Sequence, residues 1–326
     1  MRPALRLPAG RIPNLDALRL GLAVCVIVSH AWPLALGPGA DEPLEHLTGR
    51  SLGGWAVLLF FFLSGLVVMA SAERKTGAAF WEARAKRIFP GLGAALLATF
   101  ALACASGATP NVTEAVLWFI RAFTLLSIEH QISGAFATNP YPGVVNGPLW
   151  SLFYEIMAYA LCAALVMSGL ARHVRVVLGL VIAAGVAAQW SDHLSGRFAV
   201  CAPLIYAFLL GMAVHRLRSG PVINPALCAG LAIAAMILAP GAAAIAAVCL
   251  VTLWLALRLP QIRLQADYSY GLYIYGWPVA QFILHLLPGT GPVALAGLSL
   301  AATLPLACLS WHLVEAPALL RRPVEV

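Results

Sequence analysis

The sequence predicts an all-α fold: a polytopic transmembrane helical bundle of about ten spans, with N- and C-termini cytoplasmic. Three observations carry that prediction. Of the 326 residues, 61% are hydrophobic and only 10% charged, with a mean hydropathy of +0.88, whereas roughly a quarter of an average soluble domain is charged. The apolar residues fall in runs long enough to cross a bilayer core, which takes about 20 residues of helix. Lys and Arg gather in alternate connectors between those runs, as they do in cytoplasmic loops.

Along the chain the runs are 17–36, 52–72, 88–106, 149–169, 174–190, 198–214, 222–239, 241–257, 268–287 and 292–314. Basic residues precede the first run, as in a secretory signal. However, Asp16, Arg19 and His30 punctuate it and no convincing small-residue cleavage site follows, so it reads as a mature span. The stretch 114–128 is a candidate eleventh segment, but it has only fifteen residues and carries Arg121. The charges arbitrate. With 114–128 at the interface and the N-terminus inside, 17 of the 20 Lys and Arg are cytoplasmic, and Arg50, Arg121 and Arg197 face out. If it crossed, eight arginines from Arg172 to Arg322 would move outward. Residues 107–148, rich in Gly, Pro, Asn and Thr, then form the longest outward-facing loop segment. No appended soluble domain and no fixed-period repeat is visible in the sequence. The net charge of +7 is spread over short connectors rather than gathered on one wet surface, which excludes a nucleic-acid reader. The seven cysteines lack disulfide or metal spacing and read as small core hydrophobes, so no metal site is expected.

The ionisable residues inside the apolar runs point to chemistry. His30 follows Arg19 by eleven positions, about three helical turns plus 20°, which stacks the two on one face roughly 16 Å apart. Burying such groups costs on the order of 2.5–3.5 kcal/mol for an Arg at a span centre, so they face a bundle interior or a wet cavity. Arg84 and Arg87, three apart, share a face if their segment is helical. An arginine cluster beside Arg19 suits a phosphorylated donor; a positive-inside anchor touching anionic lipid is the alternative. Glu155 enters the fourth run by about 9 Å at 1.5 Å per residue, too deep for casual solvation. It is expected to pair with a cation or take part in proton transfer, or else to lock helices through Arg or Tyr. Ser64-Gly65, after three phenylalanines, suits close helix packing. Tyr and Trp in Ser269–Pro278 and Ser310–Pro317 are expected of an aromatic belt.

Together these segments resemble acyltransferase family 3, the integral-membrane O-acyltransferases acting on glycans. The matching stretches are Leu15–Arg19 with His30, Phe60–Gly65, Arg84–Pro90, Pro148–Glu155, Ser269–Pro278 and Ser310–Pro317, in family order. One departure is Gly276, where many members carry a histidine. The resemblance implies that residues 1–326 form a single membrane acyltransferase domain in the bacterial cytoplasmic (inner) membrane. It implies transfer of an acyl group, usually acetyl, from cytoplasmic acyl-CoA to a hydroxyl of an extracytoplasmic or lipid-linked glycan. Acetyl-CoA is then the donor substrate, a glycan or glycolipid the acceptor, membrane lipids the surroundings, and no cofactor is permanently bound. On this reading Arg19, Arg84 and Arg87 hold the donor's phosphates. His30 acts as general base or, in a second version, carries the acyl group as a nucleophile. Asp16 orients Arg19, and Glu155 meets acceptor hydroxyls from outside or relays a proton. Tyr270 and Ser64 are candidate oxyanion donors. The alternative from another class is a secondary transporter or exporter of a sugar-linked or anionic substrate, with Arg19, His30 and Glu155 as its pathway and Pro203 and Pro305 interrupting its helices. A third is a noncatalytic member of a polysaccharide export complex.

Overall fold

The computed structural model describes residues 14–125, 131–217 and 241–320. Its helices are α1 (Leu15–Leu36), α2 (Pro43–Thr48), α3 (Leu52–Arg74), α4 (Gly77–Ala105), α5 (Val112–Thr124), α6 (Trp150–Met167), α7 (Val174–Gln189), α8 (Arg197–Leu217), α9 (Ala242–Arg258), α10 (Ser269–Leu286), α11 (Pro292–Ser310) and, after a π-turn at Trp311–Glu315, α12 (Ala316–Leu320). Among the described residues the only β pairing is the isolated bridge Gln131–Val144. Nine of the ten apolar runs fall on these helices, and the run 222–239 lies outside the described residues. Among the described residues six segments are long and apolar enough to cross a membrane: Leu15–Leu36, Leu52–Arg74, Gly77–Ala105, Gly147–Met167, Arg197–Leu217 and Pro292–Leu320. The protein is thus a polytopic helical membrane protein.

Two local expectations change, the start of α4 and the burial of the cysteines, while the stretch 114–128 holds a helix shorter than a span. Helix α4 begins at Gly77, eleven residues before its apolar run. The charged prefix is helical too and carries a Glu82–Lys86 pair one turn apart at 2.6 Å. The stretch 114–128 contains α5, thirteen residues capped by Asn111, whose side chain accepts the Glu114 N–H at 2.9 Å. At 1.5 Å per residue α5 is about 20 Å long, short of a hydrocarbon core of about 30 Å. It buries Trp118 and Ala122 and exposes Val116, Leu117 and Ile120. Of the described cysteines, Cys162 and Cys249 are buried, Cys104 is exposed, and Cys25, Cys201 and Cys308 are intermediate, so the core reading holds for only part of the set.

The chain divides into two compact units. The first comprises the described part of Met1–Leu18 with Val57–Phe80 and Tyr154–Arg263. Its tightest packing is between α3 and α8. A Cβ on Gly65 would lie 2.0 Å from the Phe208 carbonyl oxygen, and one on Gly211 would lie 2.1 Å from that of Phe62. Two glycines, one on each helix, therefore let the backbones touch, which suits a solvent that supplies no hydrophobic force between helices. Asn14, in the left-handed region at φ 60°, donates through Nδ2 to the carbonyls of Ala256 and Leu259, both at 3.1 Å, and accepts the Ile262 N–H at 2.7 Å. The two carbonyls close α9, where the last turn has no intrahelical donors of its own.

The second unit comprises the described parts of Arg19–Ala56, Trp81–Phe153 and Leu264–Val326. Its centre is α10, buried continuously from Ser269 to Gln281. The aromatic-belt expectation does not describe this helix, because Tyr270, Tyr273, Tyr275 and Trp277 lie inside the unit. Hydrogen bonds from the 139–151 segment account for their position. Pro278 has no N–H to give the Ile274 carbonyl one turn back, and Asn146 Nδ2 donates to that carbonyl at 3.0 Å instead. Gln281 donates to the carbonyls of Tyr141 and Val144 at 2.8 and 2.9 Å and accepts from Asn139 at 2.7 Å. Ser151 and Tyr273 share a hydroxyl–hydroxyl bond of 2.6 Å. Beyond them Ala31, Leu34, Leu284 and Leu295 join α1, α10 and α11 in an apolar core.

Candidate active site

The second unit holds Arg19, His30, Arg84 and Arg87, four of the six residues singled out from the sequence. Arg84 and Arg87 lie on α4, so the helix their shared face required is present. Arg87 Nη2 donates to Asp267 Oδ2 at 2.5 Å, with both side chains 15% exposed, and its guanidinium lies over the Tyr270 ring at 5.8 Å. Asp267 sits just ahead of α10. Its other oxygen accepts the Ser269 N–H at 3.1 Å and the Ser269 hydroxyl. Burial pushes the Asp267 carboxyl up, but the guanidinium charges of Arg19 and Arg87 and the two Ser269 bonds outweigh it and hold the group at about 2. Asp267 thus lies in the field of two arginines from different helices, bonded to Arg87 and within electrostatic range of Arg19.

His30 lies farther along α1, partly buried, with its ring edge-on to Trp277 at 5.0 Å. Trp277 is itself fixed: its Nε1 donates to the Val144 carbonyl at 2.9 Å, and Tyr141 packs against it at 5.4 Å. A Cβ on Gly147 would sit 3.1 Å from the same indole, so the backbone of the 3-10 turn before α6 lies directly on the ring. The departure at Gly276 has a steric reason. A Cβ there would lie 2.7 Å from Cγ1 of Ile27, one turn before His30, so α1 and α10 approach too closely for a histidine at 276 without displacing Ile27.

Helix α10 works as a ruler for the site. Arg87 meets Asp267 just ahead of this helix, with Arg19 in electrostatic range, and His30 meets the helix at Trp277, ten residues or about 15 Å on. This matches the roughly 16 Å from Arg19 to His30 along α1. One end gathers cations suited to an anionic group, and the other presents an imidazole in an aromatic setting. Between them Tyr270 donates its hydroxyl to the Ile88 carbonyl at 2.9 Å, so as an oxyanion donor it would first have to break that bond.

Asp16, Glu155 and Ser64 belong to the first unit. Asp16 is in the first turn of α1, where an acid suits the helix dipole. Glu155 accepts a hydrogen bond from the Tyr159 hydroxyl one turn along α6, the tyrosine contact given as its alternative. Asp267 was missed from the sequence. It and Glu315 are the only acids between residues 264 and 320, and Asp267 stands two residues before a serine opening a helix. That turn-forming position was the one available signal.

Fold and site together define a multi-pass membrane protein with an arginine–aspartate cluster and a histidine in one helical unit. The chain belongs to the acyltransferase family: the family model described as an acyltransferase domain matches residues 12–312, nearly its whole length. It is 29% identical over 340 residues to the O-acetyl transferase of Shigella phage Sf6, covering 92% of this chain and 94% of that one. It is 28% identical over 366 residues to nodulation protein 10 of Rhizobium leguminosarum bv. viciae, covering 98% and 96%. It is 30% identical over 158 residues to acyltransferase MdmB of Streptomyces mycarofaciens, covering 46% and 38%. No solved structure matches the chain. The protein is a membrane O-acyltransferase of the O-acetyltransferase kind, which sets the transporter alternative aside.

Proposed function

We propose that this enzyme moves acetyl from cytoplasmic acetyl-CoA to a hydroxyl of an extracytoplasmic or lipid-linked glycan. The observation that supports this most directly is the pairing within one unit of an arginine–aspartate cluster and His30, spaced along both α1 and α10. Arg19, Arg84 and Arg87 bind the donor's phosphates, for which the guanidinium fork is suited. His30 is the general base: it takes the proton of the acceptor hydroxyl as that oxygen attacks the thioester carbonyl. The carbon–sulfur bond then breaks, and the proton passes from the imidazole to the departing CoA thiolate. Asp16, three residues before it, orients Arg19, and Glu155 binds the acceptor hydroxyls or relays a proton.

On this reading residues 1–326 act as one domain with ten spans in the bacterial inner membrane, and the basic connectors and both termini face the cytoplasm. The acceptor is met in the 107–148 segment. There an open cleft of about 1100 Å3 is lined in part by Asn111, Glu114, Trp118, Arg121 and Gln131, polar and aromatic side chains of the kind sugars engage. The test is sidedness. Inverted membrane vesicles carrying the acceptor should transfer label from added acetyl-CoA, and sealed right-side-out vesicles should not. Equal transfer in both would refute the cytoplasmic donor.

A further inference from the structure

Glu315 closes the π-turn Trp311–Glu315 and is 2% exposed. Such turns interrupt helices frequently at functional sites. Its Oε1 accepts the Ser310 hydroxyl at 2.8 Å, while its Oε2 is buried with no hydrogen-bond partner. A buried polar atom left without a donor is costly and rare in native proteins. The neighbours of Glu315 place it along α10, between the two ends of the site. Arg87 and Asp267 are within its electrostatic reach on one side, and Tyr275 lies beside it and Ser310 on the other. Gly91 lets α4 come close to both groups: a Cβ there would lie 2.7 Å from the Tyr270 ring and 3.2 Å from Glu315 Cγ, which sets Glu315 beside Tyr270 on α10.

An acyl-CoA held by its phosphates at Arg19 and Arg87, with its thioester at His30, must run its pantetheine arm through this stretch. The arm carries two secondary amides, whose N–H groups need acceptors once they leave water. We propose that Glu315 Oε2 accepts an amide N–H of the pantetheine arm and so holds the arm between the arginine cluster and His30. This inference rests on the acyl-CoA reading above. A carboxylate is acceptor-only when ionised, and its bond to an amide is charge-assisted, so the match is one of chemistry as well as position.

The test is Glu315→Gln in the full-length purified enzyme. Gln keeps the size and can still accept from Ser310, but it turns an amino group toward the arm. The expected result is a rise in KM for acetyl-CoA of about tenfold or more, the scale of one lost charged hydrogen bond. Two further readouts are expected to hold steady: kcat, and inhibition by adenosine 3′,5′-bisphosphate, which has the phosphates but no arm. An unchanged KM, a fall in kcat alone, or equal weakening of acetyl-CoA and the bisphosphate would overturn the proposal. If Glu315→Gln does not accumulate as folded protein, Ser310→Ala, which releases the carboxylate from its anchor, reads the same two ligands. It should raise KM for acetyl-CoA without changing bisphosphate inhibition, and no change in KM would overturn the proposal. Native enzyme that neither uses acetyl-CoA nor binds the bisphosphate would overturn the donor reading together with this one. Normal native kinetics with an unaffected variant would overturn this one alone.

Discussion

Replacing Asp267 by Asn keeps the shape of the side chain and removes the negative charge that pairs with Arg87 and is felt by Arg19. The carboxylate is held at about 2, against an ordinary 3.8, because the two guanidiniums and the Ser269 bonds outweigh the cost of its burial. By linkage that difference is worth about 2 kcal/mol of stability at neutral pH. Stranding the partly buried Arg87 adds to the loss, since breaking one partner of a buried pair costs about 3–5 kcal/mol at the upper limit. The native chain is therefore expected to exceed Asp267→Asn by roughly 2–4 kcal/mol near neutrality. Because the folded-state value is depressed, this advantage is complete above the unfolded value of about 4 and is lost as pH falls through about 2. Thermal unfolding of both proteins in detergent across that range measures it. The gap should be constant from about pH 7 to pH 5 and should narrow steadily below about pH 4, where the unfolded chain's carboxyl takes up a proton while the native one stays ionised, until the native group protonates near pH 2. A gap that persists undiminished near pH 2, or no gap at neutrality, would refute the assignment of Asp267 as the charged partner of the arginines.

Two further outcomes follow from packing and hydrogen bonding. Gly65→Ala puts a methyl 2.0 Å from the Phe208 carbonyl oxygen, which forces α3 and α8 apart. The expected loss is about 1–2 kcal/mol, the overpacking cost less the helix-propensity gain of Ala. Gly179→Ala on α7, with nothing within 4 Å, should be neutral or stabilising, and thermal unfolding of the two variants separates them. Gln281→Leu takes the side-chain donor from the Tyr141 carbonyl, leaves the Val144 carbonyl with Trp277 alone, and leaves the Asn139 amide with only the Gln281 backbone carbonyl. It should cost about 3 kcal/mol, and it should lower acetyl transfer, because the Val144 carbonyl also holds the Trp277 indole against His30.

The helices were legible because a membrane span is written in composition, and nine of the ten runs reappear as helices. The start of α4 was not, because Phe80–Arg87 is too charged for a hydropathy window, although its side chains pair at helical spacing. The buried state of α10 was hidden for a related reason. Its Tyr and Trp suit an interface as well as an interior, and what draws them inward is a set of bonds from Asn139, Asn146 and Ser151, more than a hundred residues away. Arg19 and His30 were found because both lie on one helix, whose period is known in advance. Asp267 was not, because its partner Arg87 is 180 residues away and periodicity says nothing about such pairs. Glu315 lay inside a quoted motif, but a sequence does not show which carboxylate oxygen lacks a donor.

The central claim is that His30 takes the proton of the acceptor hydroxyl as that oxygen attacks an acyl donor held by Arg19. The most direct measurement is transfer of labelled acetyl from acetyl-CoA to membrane glycan by native, His30→Ala and Arg19→Ala chains at matched expression. The native chain should transfer label. His30→Ala should lose about 10²–10⁴ in rate, the usual worth of a general base, and Arg19→Ala should lose its response to low acetyl-CoA. Transfer by His30→Ala at the native rate would contradict the account.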